Sequence, residues 1–531
     1  KLIRNSRIYK HFILSDLKIS VELEDTIDAG ISNGKINPKR HPGIVASRNV
    51  SLPAQITEAI KRALGDTPIK SVVRDSVELS NYLRSRHPPT EERNVKLKRL
   101  EIANLLDETE EGDLTEKSQE DIDKLVAKRE KKITKILNEK LYTWKAISYD
   151  KYTCLKYLVS RAAPEYAVLH RIFTEIKNRE INYKPTTFFD FGSGVGTGTW
   201  VTQMFWKDSL QEVFTVDTSG DMNNLARLLL CDGQEDVELP INKFYQRQFL
   251  PATPTPYDIV LCAYTLFELP SAQNRLLTIL NLWRKAKDFL IIVEQGTNAG
   301  YSLINEARDF ILECKEDHLV GHVYSPCPHD AMCPRFFQDR TPCNFPMTYQ
   351  KLKLTEKNEP ENELFSYVVL RKGKRPEDGK SWPRVVRPAL IRSKHIICRM
   401  CCEDGKLNEV IFTAKRHGKS AYRCVKGTKW GDRIPISMCT TEVETLDKPR
   451  SGEDSPLDGD NSVDHKDESV KDETAPTKTN EKNWALFSRK VYKGVKLITL
   501  TSPRVSFGEQ NCTRGVSFFL VNFFYKKKLK L

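Results

Sequence analysis

Six cysteines fall into two groups, and their spacing poses the first chemical question. Cys327 and Cys333 lie in the stretch Cys327-Pro328-His329-Asp330-Ala331-Met332-Cys333-Pro334, Cys343 follows shortly after, and Cys398, Cys401 and Cys402 form the second group. Prolines beside the thiols stiffen the loop, so several sulfurs can converge without a large ordering entropy. Soft thiolates favour zinc or an iron-sulfur cluster. Zinc sites usually pair cysteines roughly two to four residues apart, a spacing that only Cys398 and Cys401 approach, whereas the wider interval from Cys327 to Cys333 tilts towards a cubane cluster. Buried, unligated thiols are the alternative, and disulfides a weaker one.

Upstream lies Asp190-Phe191-Gly192-Ser193-Gly194-Val195-Gly196-Thr197-Gly198, whose glycines let the backbone turn sharply and approach a ligand closely. A short apolar strand, Thr186 to Phe189, leads into this loop, and a helix over Thr199 to Phe205 follows it. A second strand, Val213 to Val216, ends in Asp217, where a carboxylate can bind both ribose hydroxyls of a nucleoside. The third glycine of a dinucleotide fingerprint would fall at Thr197, so the loop fits the acid-x-G-x-G-x-G pattern of S-adenosylmethionine sites better. Asp190, Gly192, Gly194, Gly196 and Asp217 are thus the candidate cofactor residues. Buried strands over Tyr257 to Ala263 and Phe289 to Val293 extend the unit into a doubly wound, methyltransferase-like α/β sheet. No catalytic motif follows. Tyr264-Thr265-Leu266-Phe267-Glu268-Leu269 lacks the N-P-P-Y type of amino methyltransferases, Cys262 reads as a core thiol, and Glu268 as an exposed helix carboxylate.

These residues need elements to hold them. Ser51-Leu52-Pro53 opens a helix with Ile56, Ile60, Ala63 and Leu64 on one face and Gly65 at its C-cap. Apolar residues from Ile122 to Trp144 recur near helical spacing, and Tyr157 to Lys177 continues helical around Pro164. Residues 1–145 therefore read as mainly helical, and 146–372 as the methyltransferase-like domain with a Cys-rich insertion at about 315–350. Residues 373–450 form a basic unit in which His395 to Cys398 and Val410 to Thr413 predict antiparallel strands. Residues 451–483, rich in Asp, Glu, Ser, Thr and Lys, read as a disordered linker before a C-terminal segment, 484–531.

Composition narrows the function classes. An odd count of 13 cysteines among 531 residues, without disulfide-domain spacing, points to reduced or metal-bound thiols inside a cell. The net charge of +13 understates the basicity of the folded part, because acidic residues concentrate around 107–120 and 453–473. The densest basic stretch, Arg371 to Arg433, interleaves Trp382, Tyr422 and Trp430, a mixture suited to phosphate contacts and base stacking, with a solvated surface as the alternative. The apolar run Val516 to Phe524 is too short for a membrane span, so a soluble protein is expected. Lys1 to Lys10 is basic but too short to classify as a transit peptide.

Asp190 to Gly198, Glu294-Gln295-Gly296-Thr297-Asn298-Ala299-Gly300, the C-P-H-x-x-x-C-P motif from Cys327, and Trp430-Gly431-Asp432 together resemble the mitochondrial small-ribosomal-subunit methyltransferase-like family over roughly residues 145 to 440. The resemblance implies a class I methyltransferase fold, S-adenosylmethionine binding and a four-iron four-sulfur cluster. It also implies a role, as a monomer in the mitochondrial matrix, in assembling the small ribosomal subunit on its rRNA and proteins. Carried over by position, Cys327, Cys333 and Cys343 match three cluster ligands and Cys401 the fourth, with Cys398 competing. The cluster would tie the insertion to the basic unit and fix an RNA-facing surface. An rRNA methyltransferase and a zinc-bound RNA adaptor are the alternatives.

Overall fold

The protein is described from a computed structural model that covers residues 18–45, 49–109, 118–142, 144–235, 237–314, 316–337, 341–354, 359–377 and 381–441. The expected linker 451–483, the segment 484–531 with its apolar run, and Lys1 to Lys10 lie outside the described residues.

Strand β1 (Lys18–Leu23) opens the chain, followed by helices α1 (Asp25–Ser32), α2 (Ala54–Leu64), α3 (Ile69–Ser85), α4 (Glu92–Thr109) and α5 (Gln119–Lys140). Gly65 ends α2 at φ 48°, as its C-cap position requires. The expected helix through Trp144 stops at Lys140, because the Trp144 indole N–H instead donates to the Phe267 carbonyl at 2.8 Å. Helix α6 (Lys151–Arg179) starts where the Asp150 side chain accepts from the Thr153 N–H at 2.7 Å, and it runs through Pro164.

The central unit alternates strands and helices: β2 (Thr187–Phe191), α7 (Thr197–Trp206), β3 (Glu212–Val216), α8 (Gly220–Leu230), β4 (Lys243–Arg247), β5 (Tyr257–Ala263), α9 (Ala272–Lys285), β6 (Ala286–Gln295), α10 (Asn298–Leu312), β7 (Gly321–Ser325), a short α11 (Pro334–Phe337), β8 (Phe345–Gln350) and β9 (Pro360–Lys372). They build one sheet of order β4-β3-β2-β5-β6-β9-β7, with β8 paired to β9. The first five strands are parallel, and β9 runs antiparallel to both β6 and β7. Burial on both faces explains why β5 and β6 read as nearly continuous apolar runs. Alternate residues of β5 serve opposite cores. Ile259 and Leu261 pack with α6 and α7, while Val260 and Cys262 pack with α9 and α10. Cys262 is therefore a core thiol, which burial pushes well above its ordinary pKa.

The cysteine loop lies between β7 and β8. Beyond it, β10 (Arg384–Val385), β11 (Leu390–Ile391), β12 (Ile396–Cys401) and β13 (Leu407–Phe412) form a small antiparallel sheet. Helices α12 (Ala414–His417) and α13 (Lys419–Gly427) and strand β14 (Ile436–Thr441) complete this unit. The N-terminal region is not uniformly helical: β1 pairs antiparallel with β14 over its whole length, and Val21 and Leu23 pack on the core of the small sheet. Pattern within either segment cannot reveal a pairing across so much chain.

Candidate functional site

At the glycine loop, Gly192, Gly194 and Gly196 all have positive φ, 71°, 50° and 90°. A Cβ at Gly192 would lie 2.1 Å from the Thr265 hydroxyl oxygen, so only glycine fits against the turn that follows β5. The Gly192 and Ser193 N–H groups donate to the Val216 carbonyl at 2.7 and 3.1 Å, holding the loop across the C-terminal ends of β2 and β3. The Asp217 carboxylate accepts from the Gly194 N–H and the Ser219 N–H, each at 2.9 Å. Burial raises the Asp217 pKa, and those two N–H groups oppose it. Asp190 is buried beneath the loop, where desolvation first and then the charges of Asp217 and Glu165 push its pKa up to about 8. All five predicted cofactor residues thus meet at one end of the parallel sheet.

Leu83, Arg86, Tyr149 and Arg161, which the sequence did not single out, close this end together with Tyr264, Phe267, Glu294 and Gln295. A small cavity is lined by Leu83, Arg86, Tyr149, Tyr157, Arg161, Tyr264, Phe267, Glu294 and Gln295, with about 20 Å³ open to water. Tyr264 sits in the left-handed region at φ 56°, an uncommon conformation for a bulky residue that is enriched at functional sites. Arg161 Nη2, Arg86 Nε, Glu294 Oε2, the Tyr264 hydroxyl and the Ser193 hydroxyl are buried without hydrogen-bond partners. Such unsatisfied groups cost about 1–3 kcal/mol each, and a polar ligand would relieve that cost. Burial pushes the Glu294 carboxyl up to about 8, although the Leu266 and Gln295 N–H groups oppose it.

Glu268 is not the exposed helix carboxylate expected from the sequence. It ion-pairs with buried Arg86 and accepts from the Tyr149 hydroxyl at 3.2 Å. Arg86 also reaches the Phe267 and Lys145 carbonyls, and Ser219 Oγ donates to the Tyr149 carbonyl at 2.7 Å. Together with Trp144, these bonds strap residues 144–149 over the turn after β5. They join residues between 59 and 182 positions apart, and no local motif announces them.

The cysteine loop is fixed from several sides. Asp330 accepts the Val323 N–H at 2.8 Å and pairs with Arg375, while Arg308 Nη2 donates to the Ala331 carbonyl at 2.6 Å. The Tyr301 hydroxyl reaches Cys333 Sγ at 3.0 Å, and His329 Nε2 lies 3.2 Å from Cys401 Sγ. Burial pushes the Cys401 thiol well up, and the sulfurs of Cys327, Cys333, Cys343 and Cys402 each add to that shift. Cys398 is influenced by Cys402 alone. The alternation of β12 explains the difference: Cys398 and Met400 enter the core of the small sheet, whereas Cys401 faces the loop. Burial likewise raises Cys327 to about 11, where Arg308 and Arg384 oppose the effect, and raises Cys343, where Arg335 and Arg387 oppose it. Among the described residues, no group of three or more His, Cys, Asp or Glu side chains is placed to hold a single metal ion.

The aromatic residues of the basic stretch are not presented for stacking. Trp382 is buried beneath the Arg433 guanidinium at 4.8 Å, Arg387 lies over Trp430, and Tyr422 packs against the small core. Several arginines serve the interior, above all Arg384, which pairs with buried Glu175 at 2.6 Å. The exposed cations include a group on and beside α12 and α13, Lys415, Arg416, Lys419, Arg423, Lys426 and Lys429, besides Lys374, Arg392, Lys394, Arg399 and Lys406 elsewhere in the stretch.

Strand order and glycine loop define the class: this is a class I, S-adenosylmethionine-dependent methyltransferase fold with a mixed parallel and antiparallel sheet. Residues 151–435 match the family described as mitochondrial small ribosomal subunit Rsm22, and the chain belongs to that family. It is 35% identical over 403 residues to the human ribosome assembly protein METTL17, mitochondrial, covering 75% of this chain and 86% of that one. It is 25% identical over 332 residues to the Rsm22-cox11 tandem protein 2, mitochondrial, of Schizosaccharomyces pombe, covering 53% of this chain and 43% of the relative. Among solved structures, magnesium protoporphyrin IX methyltransferase from Synechocystis PCC 6803 with bound SAM aligns with 43% of this chain and 86% of its own at 12% identity, TM-score 0.25. The plantazolicin methyltransferase BpumL aligns with 41% and 88% at 13% identity, TM-score 0.26. The fold class rests on the strand order rather than on these distant likenesses. Among the described residues, no helix is long and apolar enough to cross a membrane.

Proposed function

We propose that this protein is an assembly factor for the mitochondrial small ribosomal subunit that binds immature rRNA and uses its methyltransferase fold and a four-iron four-sulfur cluster as a scaffold. The observation that carries the reading is that three loop sulfurs lie near enough to Cys401 of the small sheet to raise its pKa, with Cys333 and Cys401 buried and Cys327 and Cys343 half-buried. Cys327, Cys333, Cys343 and Cys401 would hold the cluster. Four thiolates suit a multi-iron core, in which each sulfur binds a different iron, and nearby guanidinium groups offset their charge. A single zinc would need all four donors around one point, and the described residues contain no such group. In this reading the cluster is structural, tying the insertion to the basic unit and fixing the α12 and α13 face for RNA phosphates.

Asp190, Gly192, Gly194, Gly196 and Asp217 would hold S-adenosylmethionine, in support of which the three glycines adopt positive φ and the five residues meet at one end of the parallel sheet. The bound cofactor supplies an activated methyl group. This chain's residues orient it through the glycine loop and exclude water with the strap over residues 266–268. The stretch after β5, Tyr264 to Leu269, carries no N-P-P-Y type motif, which favours an assembly role over rRNA methylation.

Labelled S-adenosylmethionine, incubated with immature mitochondrial small subunits and anaerobically purified protein, tests the choice. The assembly reading expects particle binding without label transfer. Label in rRNA that disappears with Asp217→Ala would replace it with an rRNA methyltransferase. Protein that is colourless and holds zinc without labile sulfide would replace the cluster with a zinc site.

A further inference from the structure

His329 stands between the two cysteine groups with neither ring nitrogen idle. Its Nδ1 lies 3.1 Å from the Ala331 carbonyl oxygen, which can only accept a hydrogen bond, so Nδ1 carries the proton. In the neutral ring, Nε2 then presents its lone pair, and that nitrogen lies 3.2 Å from Cys401 Sγ. A metal-ligating imidazole shows this arrangement: the distal N–H is held by a backbone carbonyl and the other nitrogen faces the metal position. The spacing also suits it, since a sulfur about 2.3 Å and a nitrogen about 2.0–2.1 Å from one tetrahedral metal lie roughly 3.5 Å apart.

The ring is held in that pose. His329 is 4% exposed, and Arg308 Nη2 grips its own carbonyl at 3.3 Å and that of Ala331 at 2.6 Å. The turn after β12 closes over it with Gly405, at φ 77°; a Cβ there would lie 3.0 Å from Ala331 Cβ and 3.8 Å from His329 Nδ1.

We infer that His329 is a nitrogen ligand in reserve, directed at the same iron as Cys401 and able to take that position when the sulfur is absent. The inference rests on the cluster proposed above.

The full chain is purified anaerobically and reconstituted with ferrous iron and sulfide as wild type, Cys401→Ala, His329→Ala, the double variant and Cys327→Ala. Iron and acid-labile sulfide are counted, and the reduced proteins are examined by pulsed electron paramagnetic resonance for nitrogen hyperfine coupling. Cys401→Ala is expected to keep nearly the wild-type iron and sulfide and to gain a strong nitrogen coupling. Adding His329→Ala to it should lower cluster affinity about tenfold or more, as losing a ligand shell does. If Cys401→Ala does not fold by circular dichroism, Cys401→Val, which likewise offers no donor atom, is read in the same way. Loss of cluster from Cys401→Ala equal to that from Cys327→Ala, or a retained cluster without nitrogen coupling, overturns the reserve ligand while leaving the cluster intact. Wild type without iron and sulfide removes the cluster itself, and the ligand with it.

Discussion

Cys398 and Cys401 lie three positions apart on one strand, and in an extended chain an odd separation reverses the side a residue faces. Cys398→Ala should therefore keep the full iron and sulfide content, whereas Cys327→Ala should lose most of it; equal losses would return Cys398 to the ligand set. Asp190 and Glu294 carry a different expectation. Both carboxyls are raised to about 8 in the folded protein, far above their unfolded values, so each is held neutral. Their contribution is complete below the unfolded pKa and is lost as pH climbs through about 8. Thermal midpoints should fall between pH 5 and pH 8, and the Asp190→Asn, Glu294→Gln double variant should flatten that slope. A slope unchanged in the double variant would assign the pH dependence to other groups.

At the scale of elements, buried Glu175 is the joint between α6 and β10. It accepts from Arg384 at 2.6 and 3.1 Å and from Ser325 Oγ at 3.0 Å, while Arg384 also reaches the Pro326 and Gly431 carbonyls. Although burial alone would raise the Glu175 pKa, the Arg384 guanidinium holds it well below the usual carboxylate range. Arg384→Met should destabilise the protein in denaturant unfolding, though by less than the about 3–5 kcal/mol of a buried charge left wholly unpaired, because Arg179 still lies 3.2 Å from Glu175, and adding Glu175→Met should recover much of that. Additive losses would show that the two residues act independently.

What was legible in the sequence follows the same logic. The strands β2, β3, β5 and β6 and the glycine loop announce themselves through apolar runs and local spacing. The sequence left Cys398 and Cys401 as competitors, and the directions they face, Cys398 into the small core and Cys401 towards His329 of the loop, appear only in the structure. The Arg86 and Trp144 strap and the pairing of β1 with β14 were hidden, since their partners lie far along the chain. The aromatic stacking surface expected around Trp382 and Trp430 failed because composition cannot tell an arginine that covers an indole from one that awaits a phosphate.

For the whole molecule, charge is the property that reaches a partner. The cations of α12 and α13 stand apart from the arginines used inside, so reversing Lys419, Arg423 and Lys426 to Glu should weaken RNA binding while sparing the cluster. The slope of log affinity against log salt should become shallower by roughly 0.7–0.9 for each phosphate contact removed. An unchanged slope would move the RNA surface elsewhere.

The ribbon of β1 and β14 joins residues 18–23 to residues 436–441. During synthesis, the first of these strands must wait for nearly all of the described chain to leave the ribosome before its partner exists. The basic unit is therefore finished last, after the sheet that supports it, and a chain released early would leave Val21 and Leu23 uncovered. A protein proposed to attend the building of a ribosome thus carries in its own topology a check on whether translation has passed residue 441.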